Sequence, residues 1–160
     1  MRKCKYMIFF IYWGIGIIVG LITTVLNKDI RTVGTIAEKF LFYQLTVTLT
    51  LSGLQGFLGH VFKSDMVADF IGWKKGSFFQ KELGYAELGY GLAGILCIWM
   101  GREFYLATIV IASPLYIGAT IVHVKEMMKS NNFKPGNAFM IIPDLLLPVS
   151  LIILYYVSGL

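Results

Sequence analysis

Five ionisable side chains fall inside or at the edge of apolar stretches: His60, Glu82, Glu87, His123 and Asp144. An ionisable group at the centre of a membrane helix costs about 2.5–3.5 kcal/mol on insertion scales, so each needs a compensating partner or a task. Histidine changes charge near neutral pH, and either ring nitrogen can bind a metal. A carboxylate supplies the complementary oxygen ligand or proton acceptor. His60, His123, Glu87 and Asp144 therefore allow a divalent metal site, axial ligation of a haem iron, or a proton or substrate relay. A fourth reading is an interhelical hydrogen-bond network that only fixes packing. No local ligand motif such as His-x-x-x-His occurs, so any site has to be assembled from separate elements.

The elements that would assemble it are membrane spans. Of the 160 residues 57% are hydrophobic and 14% charged, and the mean hydropathy is +0.72. The apolar residues fall into runs of the roughly 20 needed to cross a bilayer as a helix. The expected architecture is an all-α membrane bundle forming one domain over 1–160. Its five spans run over about 6–26, 40–62, 82–100, 104–124 and 138–156, with an interfacial segment at 64–76. Gly101-Arg102-Glu103 is read as a tight turn, and Asn27 to Lys39 as a polar connection. The first apolar run is longer than a signal-peptide core of roughly 7–15 residues and lacks a small-residue cleavage site, so it is read as a retained span.

Loop charge sets the expected orientation. One side collects Arg2, Lys3, Lys5, Lys63, Lys74, Lys75, Lys81, Lys125, Lys129 and Lys134; the other has Lys28, Arg31, Lys39 and Arg102. The positive-inside rule then places the N-terminus in the cytoplasm and the C-terminus outside, in a cell membrane. In this topology the five ionisable residues all lie toward the cytoplasmic leaflet, and no charged residue or histidine falls in the outer half of a span.

Helical phase groups the polar residues further. At about 100° per residue, Ser52, Gly53, Gln55, Gly56, Gly59 and His60 share one arc of the second span. Gly84, Glu87, Gly91 and Gly94 share a face of the third, where a neighbour can approach closely. Ser113, Tyr116, Thr120 and His123 align on the fourth, and Asp144, Pro148 and Tyr155 on the fifth. Glu82 points elsewhere, toward the interface. Between the second and third spans, Ser64 is expected to cap a short amphipathic helix, Asp65 to Ile71. Trp73 suits the interface there, and Lys74 and Lys75 suit anionic headgroups or an anionic ligand. The segment would serve topology alone or act as a lid over the cluster, with Gln55 and Asp65 as further contacts.

Several function classes drop out. The net charge of +5 is accounted for by lysines in loops, and no basic tract with interleaved aromatics suggests nucleic acid. Cys4 and Cys97 lie at different depths and read as unpaired thiols. Neither a Gly-x-Ser-x-Gly nor a Cys–His pairing points to a hydrolase.

The run from Gly59 to Glu82 resembles an uncharacterised family of small prokaryotic multi-pass membrane proteins, with a Gly-His, an Asp, an Ile-Gly-Trp, a Gly-Ser and a Phe-Gln-x-Glu in this order. The matching positions are Gly59, His60, Asp65, Ile71, Gly72, Trp73, Gly76, Ser77, Phe79, Gln80 and Glu82; Phe78 stands where that pattern has proline. The resemblance implies a polytopic membrane protein and assigns no activity. Gly84-Tyr-Ala-Glu87-Leu-Gly-Tyr-Gly91 is similar to the glycine-rich, Glu-bearing helix of DoxX-like proteins, four-helix bundles linked to quinone or sulfur redox chemistry. That likeness rests on one helix and carries no catalytic role over.

The expectation is a bundle that binds a small molecule or ion of unknown identity near the cytoplasmic leaflet, a redox or quinone-linked accessory being one form of it. The alternatives are a small transporter or channel acting as an oligomer, and a structural partner without a ligand. Membrane lipids, a second copy or another membrane protein are the expected partners; cofactor and enzyme status stay open.

Overall fold

The computed structural model describes residues 8–27 and 32–160; Arg2, Lys3, Cys4, Lys5, Lys28 and Arg31 lie outside the described residues. Every element is helical: α1 (Ile8–Leu26), α2 (Val33–Tyr43), a π-helical segment (Gln44–Leu49), α3 (Thr50–Phe62), α4 (Ser64–Ile71), α5 (Phe78–Met100), α6 (Arg102–Ser130), α7 (Pro135–Ala138) and α8 (Ile141–Ser158). Among the described residues, 5 helical stretches are long and apolar enough to cross a membrane: α1, α2 through α3, α5, α6, and α7 with α8. Backbone polar groups in lipid must be satisfied within the segment, so helices are the natural form for these runs. The chain is a multi-pass membrane bundle.

The second stretch is longer than its hydropathy suggests. Helix α2 starts at Val33 because Thr32 and Thr35 form a reciprocal cap, each hydroxyl accepting from the other's backbone N–H at 3.1 Å. Glu38, placed by sequence in a polar connection, thus lies inside the helix. It is tolerated because Arg102, the first residue of α6, grips it with Nε at 2.8 Å and Nη2 at 2.6 Å. Two sequence expectations change here. A charged group does sit in the half of this span away from α4, and the turn at Gly101 is Gly101 alone, since Arg102 and Glu103 already belong to α6. Ser64 likewise is the first residue of α4, not its cap; Lys63 precedes it and no side-chain cap bond forms.

A π-turn holds more residues than an α-turn. The π-segment therefore keeps Leu41, Leu45 and Leu49, spaced by four, all fully buried on the core face. They pack with Tyr90 and Cys97 of α5, Tyr105, Ile109, Ala112 and Tyr116 of α6, and Leu147 and Leu151 of α8. The opposite faces are apolar but exposed, as at Ile18, Val110 and Ile153. That inversion belongs to a protein solvated by lipid.

Helix α1 joins this core by packing of Phe9, Gly16 and Gly20 and by hydrogen bonds. Thr48 Oγ1 donates to Tyr12 O at 3.0 Å, Gln44 Nε2 to Trp13 O at 3.3 Å, and Thr23 Oγ1 to Tyr43 Oη at 3.0 Å. Only Phe9, Gly16 and Gly20 of α1 are buried. The remaining principal pairings are α3 with α5, α6 with α8, and α2 with α8.

Candidate functional site

The α3–α5 pairing is set by glycine. A methyl group on Gly53 would stand 2.6 Å from the Glu87 carbonyl oxygen and 2.8 Å from the Gly91 Cα. One turn further along α3, a methyl on Gly56 would fall on the Glu87 carboxyl group, 2.5 Å from both oxygens. Glu87 therefore occupies space that only a glycine leaves open. One more turn brings His60, whose Nε2 is 3.8 Å from Glu87 Oε2; these side chains are 17% and 12% exposed. That distance is an electrostatic contact, not a hydrogen bond. Glu87 Oε2 and His60 Nδ1 are buried and find no hydrogen-bond partner among the described residues.

The second pair lies between α6 and α8. His123 Nε2 is 3.7 Å from Asp144 Oδ2, and the two side chains are 10% and 8% exposed. The other ring nitrogen, Nδ1, is 2.7 Å from Asn137 Oδ1. The indole N–H of Trp73 reaches the same oxygen at 3.1 Å, and its ring lies over the imidazole with centroids 5.2 Å apart. Asn137 Nδ2 donates to His123 O and to Asn132 O, each at 3.1 Å.

Two tyrosines link the pairs. Tyr116 Oη donates to Tyr90 Oη at 3.0 Å, with ring centroids 5.4 Å apart. Glu87 and Asp144 both lie within electrostatic reach of these hydroxyls, and Asp144 within reach of Glu87. The ion pairs among the described residues leave both buried carboxylates with histidine alone; Lys75 meets Asp69 and Arg102 meets Glu38.

A family of unknown function, DUF6790, matches residues 6–159. The chain belongs to that family. No curated protein and no solved structure matches it. Family membership in DUF6790 therefore brings no activity with it, and the chemistry has to be read from the geometry.

Of the residues singled out by sequence, this DUF6790 protein brings His60 to Glu87 and His123 to Asp144, with Trp73 beside the second pair. Gln55 is exposed and does not join them. The reason is phase: Gly53, Gly56 and His60 face α5, and Gln55 falls on the far side of that arc. Asp65 is exposed and accepts from the Gly76 N–H at 3.3 Å, closing the α4 turn. Glu82, Lys74 and Lys75 are also exposed, and Lys75 pairs with Asp69 at 3.1 Å. No group of three or more His, Cys, Asp or Glu among the described residues is gathered for a metal ion. The donors stand as two separate His–carboxylate pairs.

Three members of the cluster escaped the sequence reading. Tyr90 shares a face with Glu87 three residues earlier, and its partner on α6 is what the sequence lacks. Tyr116 was placed on the inward face without a partner. Asn137 follows the turn pair Pro135-Gly136, and its complete burial is what distinguishes it from a turn residue.

Proposed function

We propose that this membrane bundle binds a small cationic species, the proton being the smallest, at the cluster formed by His60, Glu87, His123 and Asp144. One observation carries the reading: among the described residues, the ion-pair partner of each of two nearly buried carboxyl groups is an imidazole alone, with gaps of 3.8 and 3.7 Å. Buried carboxylates are strongly destabilised unless paired, protonated or bound to a cation. The neighbouring imidazole nitrogens, hydroxyl oxygens and aromatic faces accommodate a proton or an ammonium group, and the two carboxyl groups disfavour an anion. Lys63 after α3, Lys74, Lys75 and Lys81 before and in α5, and Lys125 and Lys129 at the end of α6 support placing the site in the cytoplasmic half of a cell membrane, with the N-terminus inside.

The test compares wild type with Glu87→Gln/Asp144→Asn, purified in mild detergent. Infrared difference spectra between about pH 5 and about pH 9 should show protonated carboxyl bands that the variant lacks. Native mass spectrometry with a small primary amine distinguishes the organic cation, whose adduct the variant would lose. Identical spectra and bare masses in both proteins would sink the reading and leave a packing network.

A further inference from the structure

We infer that Asn137 is a positioning residue that fixes the tautomer of His123 and joins the interfacial segment to the buried His123–Asp144 pair. The argument starts from donors and acceptors. Asn137 Nδ2 faces two backbone carbonyls, His123 O and Asn132 O, which only accept. Its Oδ1 faces the indole N–H of Trp73, which only donates. Three independent partners thus orient the amide the same way. The remaining contact, 2.7 Å from Oδ1 to His123 Nδ1, then requires the imidazole proton to sit on Nδ1. In the neutral ring Nε2 is left as the basic nitrogen, and Nε2 is the atom directed at Asp144. Asn137 is fully buried, so water does not compete for these bonds.

The same oxygen carries the second half of the inference. Trp73 follows Gly72, whose left-handed backbone (φ 80) ends α4 and turns the chain toward α7. Asn132 Nδ2 donates to Ile71 O at 2.9 Å, and Lys134 Nζ to Asp69 O at 3.4 Å. A methyl on Gly136 would be driven into the Phe70 backbone. The segment is therefore latched to the α6–α8 connection, and Trp73 is the part of the latch that touches the site. Release of Trp73 removes one of two donors from Oδ1 and uncovers one face of the imidazole. The segment and the histidine thus form one unit, whatever the site binds.

The chain has 2 histidines and 3 tryptophans, which makes the test direct. Nitrogen-15 spectra of the His60→Gln protein report His123 alone. They should show the Nδ1–H tautomer as the neutral form, whereas imidazole in water prefers Nε2–H. Asn137→Ala should convert the signal mainly to Nε2–H; Asn137→Asp, which keeps an oxygen acceptor, should retain Nδ1–H. In a Trp13→Phe/Trp99→Phe background, acrylamide quenching of Trp73 should rise at least threefold in Asn137→Ala. An Nε2–H tautomer in the protein with native Asn137 would overturn the assignment without any substitution at 137. Unchanged Trp73 quenching in a folded Asn137→Ala protein would overturn the latch. Neither result depends on the cation reading, which can fail on its own.

Discussion

The seam between α3 and α5 provides a quantitative test of how the first His–carboxylate pair is positioned. In Gly53→Ala the new methyl carbon would lie 2.6 Å from the Glu87 carbonyl oxygen, with Gly91 Cα and Tyr90 Cε2 each at 2.8 Å. Non-bonded carbon contacts settle at about 3.5–4.0 Å, so the helices must separate by about 1 Å. Two of the three obstacles are backbone, so no rotamer change relieves them. Overpacking of this kind costs about 1–3 kcal/mol. With two backbone obstacles the cost falls in the upper part of that range, about 2–3 kcal/mol, and the better helix propensity of alanine returns at most about 1 kcal/mol, leaving a net loss of about 1–2 kcal/mol. A loss of that size changes an opening equilibrium by about 5–30-fold. The control is Gly89→Ala on α5, where an added methyl meets nothing within 4 Å. Cys97 serves as the reporter because it is 1% exposed. In a Cys4→Ser background under mildly denaturing detergent, maleimide labelling of Cys97 follows the open population. Gly53→Ala should label about 5–30 times faster than the parent, and Gly89→Ala no faster. Equal rates for the two variants would refute the claim that backbone contact at Gly53 sets the seam.

Other expectations follow from individual contacts. Tyr116→Phe removes the donor to Tyr90 and leaves a buried hydroxyl unpaired, costing about 1–3 kcal/mol; adding Tyr90→Phe should recover part of the loss, measured as a double-mutant cycle on thermal stability. Arg102→Ala should cost about 1–3 kcal/mol, because Arg102 is 62% exposed but the Glu38 it leaves unpaired is only 18% exposed; a melting point equal to that of wild type would contradict this. Single cysteines at Glu82 and Lys129 should label with an impermeant reagent from one side of a sealed vesicle and a cysteine at Arg102 from the other. Labelling of residues 82 and 129 from opposite sides would break the fold.

The long apolar runs made the number of spans legible, and the glycine stripe on α5 made the face of Glu87 legible. Both follow from periodicity, which sequence carries directly. The start of the second span did not, because Glu38 and Lys39 mimic a loop. Their place in a helix depends on a cap at Thr32 and a partner at Arg102, distant in sequence. Gln55 failed for a related reason: an arc drawn on an ideal helix is too wide to separate Gly56, which touches Glu87, from its exposed neighbour. The pairing of His60 with Glu87 rather than Asp144 depends on which helices are neighbours. Asn137 was hidden because burial of a loop side chain is a tertiary property.

The attachment of α1 has a consequence for how the protein is built. Between lipid-solvated helices apolar contact confers no hydrophobic gain, and interhelical hydrogen bonds average about 0.6 kcal/mol with a maximum near 1.7. Helix α1 touches none of the four residues of the two His–carboxylate pairs by hydrogen bond or ion pair, and its own bonds run to Tyr43, Gln44 and Thr48. Helix α1 is thus held by a few polar bonds to the threonine-rich π-segment and its flank, together with the packing of Phe9, Gly16 and Gly20. Loss of these bonds would weaken the hold on α1 without removing any hydrogen bond or ion pair of either His–carboxylate pair.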